Sequence, residues 1–186
     1  MSPQPRRPYD RRGCIILTGG MPMNVTLIGM PGCGKTTIGR RLAQETGMRF
    51  LDVDQAIMAQ EGRSLAQIIQ EEGDEGFRAV ENRVVASLDT DHTVLSTGGS
   101  VIYGAEGMAH LREISRVVYL HAAPEVLQHR LRDLRARGVT IHPGQSFLDL
   151  YRERTPLYER YADVVVDIEG RNIVQLSRDI RRKLRF

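Results

Sequence analysis

The chain has 186 residues, of which 41% are hydrophobic and 26% charged, so it is long enough for one domain with a sizeable core and too short for two. Four arginines and one aspartate within the first 22 residues account for the whole formal net charge of +3. We therefore expect a disordered basic extension over 1–22 and a single domain over 23–186. Because that domain is close to neutral, we expect no nucleic-acid partner.

Two further classes of protein are excluded by composition. No stretch approaches the roughly 20 apolar residues that cross a membrane, and the first residues lack the apolar segment of a secretory signal. Two cysteines, Cys14 and Cys33, are too few for a disulfide framework or a four-ligand zinc site. We expect a cytoplasmic protein that has no membrane partner.

Apolar runs typical of strands alternate with helical patterns along the domain. The sequence predicts, in chain order, strand 25–29, helix 35–45, strand 49–53, helices 54–60, 64–71 and 75–88, strand 92–96, helix 105–112, strand 116–122, helices 124–135 and 148–154, strand 162–168, and a closing helix from 172. Ser64 and Gln67 form a predicted capping box at the start of helix 64–71. Strands of this kind, separated by helices, favour an α/β fold with a five-stranded parallel sheet flanked by helices in three layers.

The strongest motif is Gly29-Met-Pro-Gly-Cys-Gly-Lys-Thr, which fits the P-loop pattern and lies between a predicted strand and a predicted helix. Its glycines let backbone N–H groups face an anion, Lys35 reaches the β- and γ-phosphates, and the Thr36 hydroxyl ligates Mg²⁺. The motif therefore predicts ATP and Mg²⁺ as cofactors. The candidate nucleotide-binding residues here are Gly32, Cys33, Gly34, Lys35, Thr36 and Thr37.

Two carboxylates, Asp52 and Asp54, end the second predicted strand. Alternation along a strand places both on one face, and ligands collect at the carboxyl ends of parallel strands. Such a pair can support Mg²⁺ through water and accept a proton from a substrate hydroxyl. The alternative for Asp54 is an ordinary helix N-cap.

Three weaker motifs follow. Arg78 and Glu81 can meet on one helix face after Phe77, either as part of a site or as a surface ion pair. The adjacent glycines Gly98 and Gly99 either form a plain turn or let backbone amides approach a ligand. Arg154 precedes Pro156, which we expect to start a helix; its charge is either functional or merely solvated.

Together these motifs resemble the shikimate kinase family in order and approximate spacing over 24–168. The resemblance implies a P-loop kinase fold with a mobile lid at about 135–146, and an enzyme that phosphorylates shikimate in aromatic amino-acid biosynthesis. It implies that Asp54 lies near the attacking hydroxyl as a catalytic residue beside Lys35, that Asp52 supports Mg²⁺ with Thr36, and that Glu81 holds Arg78. The implied substrate-binding residues are Asp54, Phe77, Arg78, Gly98, Gly99 and Arg154.

The chain departs from the family pattern in two places. Ser100 stands where the family has a third glycine, and the lid lacks the family's Arg-Pro-Leu. We expect Arg137, just before the pivot Gly138, to be the catalytic lid residue, with Arg135 as the alternative and Arg130 near the nucleotide base. The functional alternatives are a kinase for another hydroxy acid, such as gluconate or homoserine, and a nucleotide-binding regulatory domain. We expect a monomer.

Overall fold

The computed structural model describes residues 24–131 and 145–186, which form a five-stranded parallel sheet with helices around it. The elements in chain order are β1 Asn24–Ile28, α1 Lys35–Thr46, β2 Arg49–Asp52, α2 Val53–Glu61, α3 Leu65–Ala86, β3 Thr93–Ser96, a 3-10 turn Val101–Tyr103, α4 Ala105–Ile114, β4 Ser115–His121, α5 Pro124–Leu131, α6 Phe147–Tyr161, β5 Val164–Asp167 and α7 Ile173–Leu184. No helix of this described part is long and apolar enough to span a membrane. The expected extension and nearly all of the expected lid lie outside the described residues.

The strand order is β2-β3-β1-β4-β5, and every neighbouring pair is parallel. Strand β1 is central and completely buried, as its continuous apolar sequence predicts. Strands β2 and β3 lie on one lateral side of β1, and β4 and β5 lie on the other. The carboxyl end of β1 is therefore the topological switch point, where sheets of this kind bind ligands. The predicted parallel α/β fold is confirmed.

Helices pack on the sheet through apolar faces set by their sequence period. Helix α1 buries Ile38, Leu42 and Ala43, and contacts α7 as well as the strands β1 to β3. Gly39 lets α1 approach the sheet closely, because a Cβ atom there would lie 2.9 Å from the Phe50 ring. This packing fixes the start of α1 against the end of β1, the place where the predicted P-loop must lie.

Helix α2 begins earlier than the sequence predicts. Strand β2 ends at Asp52, whose side chain accepts a hydrogen bond from the Asp54 backbone N–H at 3.2 Å, and α2 starts at Val53. Asp52 is therefore the N-cap, and Asp54 lies in the first helical turn. The prediction that both carboxylates share one strand face is wrong, and so is the alternative that Asp54 is the cap, because the Asp52 side chain stops the strand by capping the helix.

Helix α6 also differs from the prediction, which ended a helix at 154 and began another at Pro156. The structure has one helix, Phe147–Tyr161, opened by a capping box between Ser146 and Asp149 and continuing through Pro156. A proline inside a helix removes one backbone hydrogen bond. Leu150 and Tyr158, which lie on either side of Pro156, are both buried, and this packing is consistent with a helix that stays continuous.

The predicted helices 64–71 and 75–88 join into α3 with a break at Gly73, where the backbone has φ 72° and ψ −177°. Residues with a side chain rarely adopt this positive φ, which explains the glycine at position 73. The capping box of Ser64 and Gln67 is confirmed. Helix α5 starts at Pro124 as predicted, and its predicted extension beyond 131 lies outside the described residues.

One buried side chain joins three segments at the amino end of β1. Asn24 donates from Nδ2 to the carbonyls of Thr90 at 2.7 Å and Ile114 at 3.1 Å, and its Oδ1 accepts the Thr93 N–H at 2.9 Å. Its residue surface is almost fully buried. Asn24 thus links β1 to the start of β3 and to the end of α4.

Replacing Asn24 by Ala should lower the free energy of unfolding by about 2–4 kcal/mol, because one buried and two partly buried backbone groups lose their partner at once. Asn24→Asp keeps only the acceptor and should also destabilise the fold. Urea unfolding measures both, with exposed Gln60→Ala as a control expected within about 0.5 kcal/mol of wild type. A loss below about 0.5 kcal/mol in Asn24→Ala would contradict the assignment.

Candidate active site

The loop over 29–34 connects β1 to α1 and has the conformation of a phosphate-binding turn. Gly29 has φ 145°, and a Cβ atom there would lie 2.7 Å from the Leu120 carbonyl oxygen, so only glycine fits. Gly34 has φ 96° and precedes α1 without a side chain to cap the first N–H groups. The loop therefore presents a helix N-terminus whose dipole favours an anion, in the strand-to-helix context the sequence predicted.

Lys35 is the first residue of α1, and its side chain is folded over the loop. Its Nζ donates to the carbonyls of Gly29 at 2.8 Å and Met30 at 3.1 Å, and lies 3.8 Å from Cys33 Sγ. Cys33 itself is buried and fills space beneath the loop. The ammonium group is thus held at the centre of the turn, beside the helix start that favours an anion.

Three side-chain oxygens meet beside the loop at the ends of β2 and β3. The Thr36 hydroxyl donates to Asp52 Oδ2 at 3.3 Å and lies 3.2 Å from the Ser96 hydroxyl. Asp52 and Ser96 are paired across the two strands, which explains why they are adjacent. The set has one carboxylate and two hydroxyls. In the described part of the chain, no group of three or more His, Cys, Asp or Glu side chains is arranged to hold a metal ion.

Ser96 is a residue that the sequence interpretation missed. Nothing local distinguishes it from an ordinary strand-end serine, since its place beside Asp52 depends on β2 and β3 being neighbours. The nearest available signal is its position as the last residue of a buried strand. Oxygen ligands of this kind match the preference of Mg²⁺, which usually takes one or two carboxylates and keeps several waters.

Asp54 and Glu81 border the turn that follows β3. A Cβ atom at Gly98 would lie 2.6 Å from Glu81 Oε1 and 3.3 Å from Asp54 Oδ1, so the two carboxylates close on this glycine from α2 and α3. Ser100 Oγ donates to Glu81 Oε2 at 2.6 Å. Glu81 Oε1 has no hydrogen-bond partner among the described residues. The serine that departs from the family pattern is therefore engaged by Glu81.

The electrostatics of this turn are unusual. Burial raises the pKa of Glu81 to about 7; the Ser100 hydrogen bond opposes this shift, the nearby Asp54 charge adds to it, and Arg154 and Arg78 oppose it. Burial also raises the pKa of Asp54, helped by the charge of Asp52 and opposed by Lys35. The site thus holds two carboxyl groups whose proton affinity is higher than normal.

Two arginines share one aromatic ring at the other end of the turn. The guanidinium carbon of Arg78 lies 4.1 Å from the centroid of the Tyr103 ring and that of Arg154 lies 5.4 Å from it. Arg154 is buried, and a Cβ atom at Gly99 would lie 3.0 Å from both Arg154 Nη1 and Pro31 Cδ. The space that a side chain at Gly99 would occupy is thus bordered both by a buried cation and by the phosphate-binding loop.

Tyr158 anchors this turn from the opposite side. Its hydroxyl donates to the Gly99 carbonyl at 2.6 Å, and its ring stacks on Tyr119 of β4 with centroids 5.1 Å apart. The side chain is completely buried. Helix α6 therefore supplies both Arg154 and the tyrosine that fixes the backbone next to it.

The structure gathers most of the predicted site residues at the carboxyl end of the sheet. Those brought together are Lys35, Thr36, Asp52, Asp54, Arg78, Gly98, Gly99 and Arg154. Phe77 is half-buried and packs against the core, Thr37 is exposed, and Arg130 lies in α5. Arg135 and Arg137 lie outside the described residues, and the role of Glu81 as the holder of Arg78 stays a prediction.

Comparison with known proteins bears directly on this arrangement. The family model for shikimate kinase matches residues 31–185. The chain belongs to the shikimate kinase family. A shikimate kinase from Thiobacillus denitrificans is 38% identical over 164 residues, which cover 87% of this chain and 90% of that protein.

Solved structures agree with the family assignment. A shikimate kinase from Acinetobacter baumannii in complex with shikimate superposes with a TM-score of 0.78 at 32% identity, over 89% of this chain and 93% of that one. A gluconokinase from Sinorhizobium meliloti reaches a TM-score of 0.55 at 22% identity, over 89% of this chain and 93% of that one. The second likeness shows a shared fold alone.

The raised pKa of Glu81 predicts a pH-dependent stability. A carboxyl group that binds its proton more tightly when folded makes stability fall as pH rises from about 4.5 towards 7. Between pH 5 and pH 8, wild type should therefore lose about 2–3 kcal/mol more of its unfolding free energy than Glu81→Gln does. Chemical unfolding across that range measures the difference.

The matched control is Glu75→Gln, an exposed position on the same helix. Its pH profile should run parallel to that of wild type. If the profiles of Glu81→Gln and wild type also run parallel, then Glu81 is not the buried proton-binding group that its environment indicates.

Proposed function

We propose that the protein transfers the γ-phosphoryl group of ATP to the 3-hydroxyl of shikimate. The observation that carries the proposal is the position of Gly99, where an added Cβ atom would lie 3.0 Å from both Pro31 of the phosphate-binding loop and the buried Arg154. A carboxylate held by Arg154 therefore lies close to phosphates held by the loop. That proximity, in a family of shikimate kinases, supports a hydroxy acid as the acceptor.

The nucleotide half of the proposed site consists of the loop and α1. The loop backbone and helix dipole favour phosphate, and the Lys35 ammonium can exchange its two carbonyl partners for phosphate oxygens. Thr36 and Asp52, beside Ser96, would hold Mg²⁺, and their all-oxygen donor set fits that ion. When bound, Mg²⁺ would neutralise phosphate charge at the reacting end of ATP.

The acceptor half is formed by α2, α3 and α6. Arg78 and Arg154 bind the substrate carboxylate through guanidinium groups, whose planar set of donors matches the geometry of a carboxylate. Asp54 orients the reacting hydroxyl and accepts its proton, and the raised pKa of this half-buried carboxyl makes it a stronger base. Phosphoryl transfer needs little more than such positioning and charge stabilisation.

Ser100 does not argue for a different acceptor. Its hydroxyl is turned to Glu81 rather than left to contact a ligand. We also propose that Arg137 of the lid brings positive charge to the transferring phosphate, with Arg130 near the nucleotide base. A monomeric state, and action in the cytoplasm without nucleic acid or membrane, are likewise proposals.

The direct test measures ADP release with Mg²⁺ and ATP against shikimate, gluconate, homoserine and nucleoside monophosphates. We expect shikimate to give the highest kcat/KM and to yield a 3-phosphate by NMR. A higher kcat/KM for gluconate or homoserine would identify that compound, and not shikimate, as the acceptor. ATP binding without turnover of any acceptor would indicate a nucleotide-binding regulatory domain instead.

Lys35→Ala should lower kcat by roughly two to four decades, because it removes the cation that stabilises charge on the β- and γ-phosphates. Coupled-assay kinetics measure the loss. The control is Lys183→Ala, which removes an exposed lysine that bonds the Val165 carbonyl on the outer side of α7. Turnover of Lys35→Ala within threefold of wild type would refute the P-loop assignment.

Asp54→Asn keeps the size of the side chain and removes its negative charge and basicity. It should lower kcat about 100-fold or more while KM for ATP changes by less than about threefold. Exposed Asp89→Asn is the control. If ATP affinity instead falls as far as the rate, Asp54 serves the metal site and not the acceptor.

A further inference from the structure

Tyr103 has no role assigned so far, yet it contacts both of the proposed carboxylate-binding arginines. Its ring lies 4.1 Å from the guanidinium carbon of Arg78 and 5.4 Å from that of Arg154. The Tyr103 hydroxyl also accepts a hydrogen bond from Arg154 Nε at 3.2 Å. One side chain therefore touches cations supplied by α3 and by α6.

The physical effect of this contact is attraction between an aromatic face and each cation. Two guanidinium groups gathered for one carboxylate repel each other, and burial makes that repulsion stronger. The Tyr103 ring attracts Arg78, and the Tyr103 hydroxyl accepts a hydrogen bond from Arg154. Both contacts offset the repulsion before the substrate binds. Both arginines are then held in place at no further entropic cost when the carboxylate binds.

Tyr103 itself is fixed from two directions. Its backbone N–H donates to the Ser100 carbonyl at 2.9 Å within the 3-10 turn. Its hydroxyl donates to Glu153 Oε1 at 2.5 Å, and Gln145 Nε2 donates to the other oxygen of Glu153 at 2.9 Å. The ring plane is thus set by the turn on one side and by α6 on the other.

The same turn shows that the ring is not needed to fill the core. Val101 and Ile102, the first two residues of the turn, are buried, and they anchor it in the hydrophobic core. Tyr103, by contrast, is half-buried and only packs against the core's edge. Its aromatic face is directed to the two cations, where a core residue would meet apolar side chains.

We propose that Tyr103 is a positioning residue that holds Arg78 and Arg154 in the arrangement that binds the substrate carboxylate. The inference rests on the proposed function, since it concerns the acceptor half of the same site. Because the ring contacts both guanidinium groups, a phenylalanine should retain most of this role, although it lacks the hydroxyl that bonds Arg154 and Glu153. A side chain of similar bulk without a ring should not.

The test compares Tyr103→Leu with Tyr103→Phe in steady-state kinetics. Tyr103→Leu should raise KM for shikimate about 5- to 30-fold, with kcat and KM for ATP changed less than about threefold. Tyr103→Phe should stay within about threefold of wild type in all three values. In an Arg78→Ala background, Tyr103→Leu should have a smaller effect than in wild type, because one of its two cations is gone.

The matched control is Tyr161→Leu, which removes a tyrosine ring that contacts Arg160, 5.8 Å away at the end of α6. It should leave KM for shikimate unchanged. Thermal melting checks folding of each variant; if Tyr103→Leu lacks a cooperative transition, Tyr103→Met carries the same comparison. If both variants fail to fold, Tyr103 is a structural residue and the proposal is overturned.

The remaining outcomes separate the two proposals. Wild type could phosphorylate shikimate while Tyr103→Leu has a KM for shikimate within twofold of wild type. This result would refute the positioning role of Tyr103 and leave the proposed function unaffected. An equal rise in KM for shikimate in Tyr103→Phe and Tyr103→Leu would refute the role proposed for the aromatic ring. If wild type does not phosphorylate shikimate, the proposed function fails and the inference fails with it.

Discussion

The site depends on how closely other groups approach the two glycines after β3. At Gly98 the carboxylates of Asp54 and Glu81 come within the space a Cβ atom would take, and at Gly99 the same is true of Arg154 and the phosphate-binding loop. A methyl group at either position would push apart groups that the proposed reaction brings together. The turn therefore sets the distance between the nucleotide half and the acceptor half, and Tyr158 fixes it by holding the Gly99 carbonyl.

The close approach at these two glycines brings charged side chains into the protein interior, where folded proteins ordinarily avoid them. Glu81, Arg154 and Lys35 are all buried, and burying charged groups is costly unless they are paired or hydrogen-bonded. Glu81 is only half satisfied, with one oxygen bonded to Ser100 and the other without a partner in the described residues. Stability is sacrificed at positions like this when they serve a site, which is consistent with perturbed carboxyl groups marking the place of chemistry.

The sequence predicted the elements whose signals are local. The phosphate-binding loop, the capping box at Ser64 and the five parallel strands all follow from patterns within a few residues, and the structure has them. At the site two boundaries were wrong, one because of a local helix cap and the other because of tertiary packing. Asp52 caps α2 instead of extending the strand, and buried neighbours carry α6 through Pro156. Ser96 escaped notice because its place beside Asp52 depends on strand order.

Tyr103 could not be found from sequence for a similar reason, and the reason bears on how the site works. Its two cationic partners come from Arg78, 25 positions earlier, and Arg154, 51 positions later, so no window of sequence contains the contact. Under the proposed function, the charged residues that bind the carboxylate therefore depend on neutral residues supplied by a different part of the chain. Those neutral residues lie in and just before the 3-10 turn, where Ser100 bonds the carboxylate of Glu81 and Tyr103 contacts the two cations.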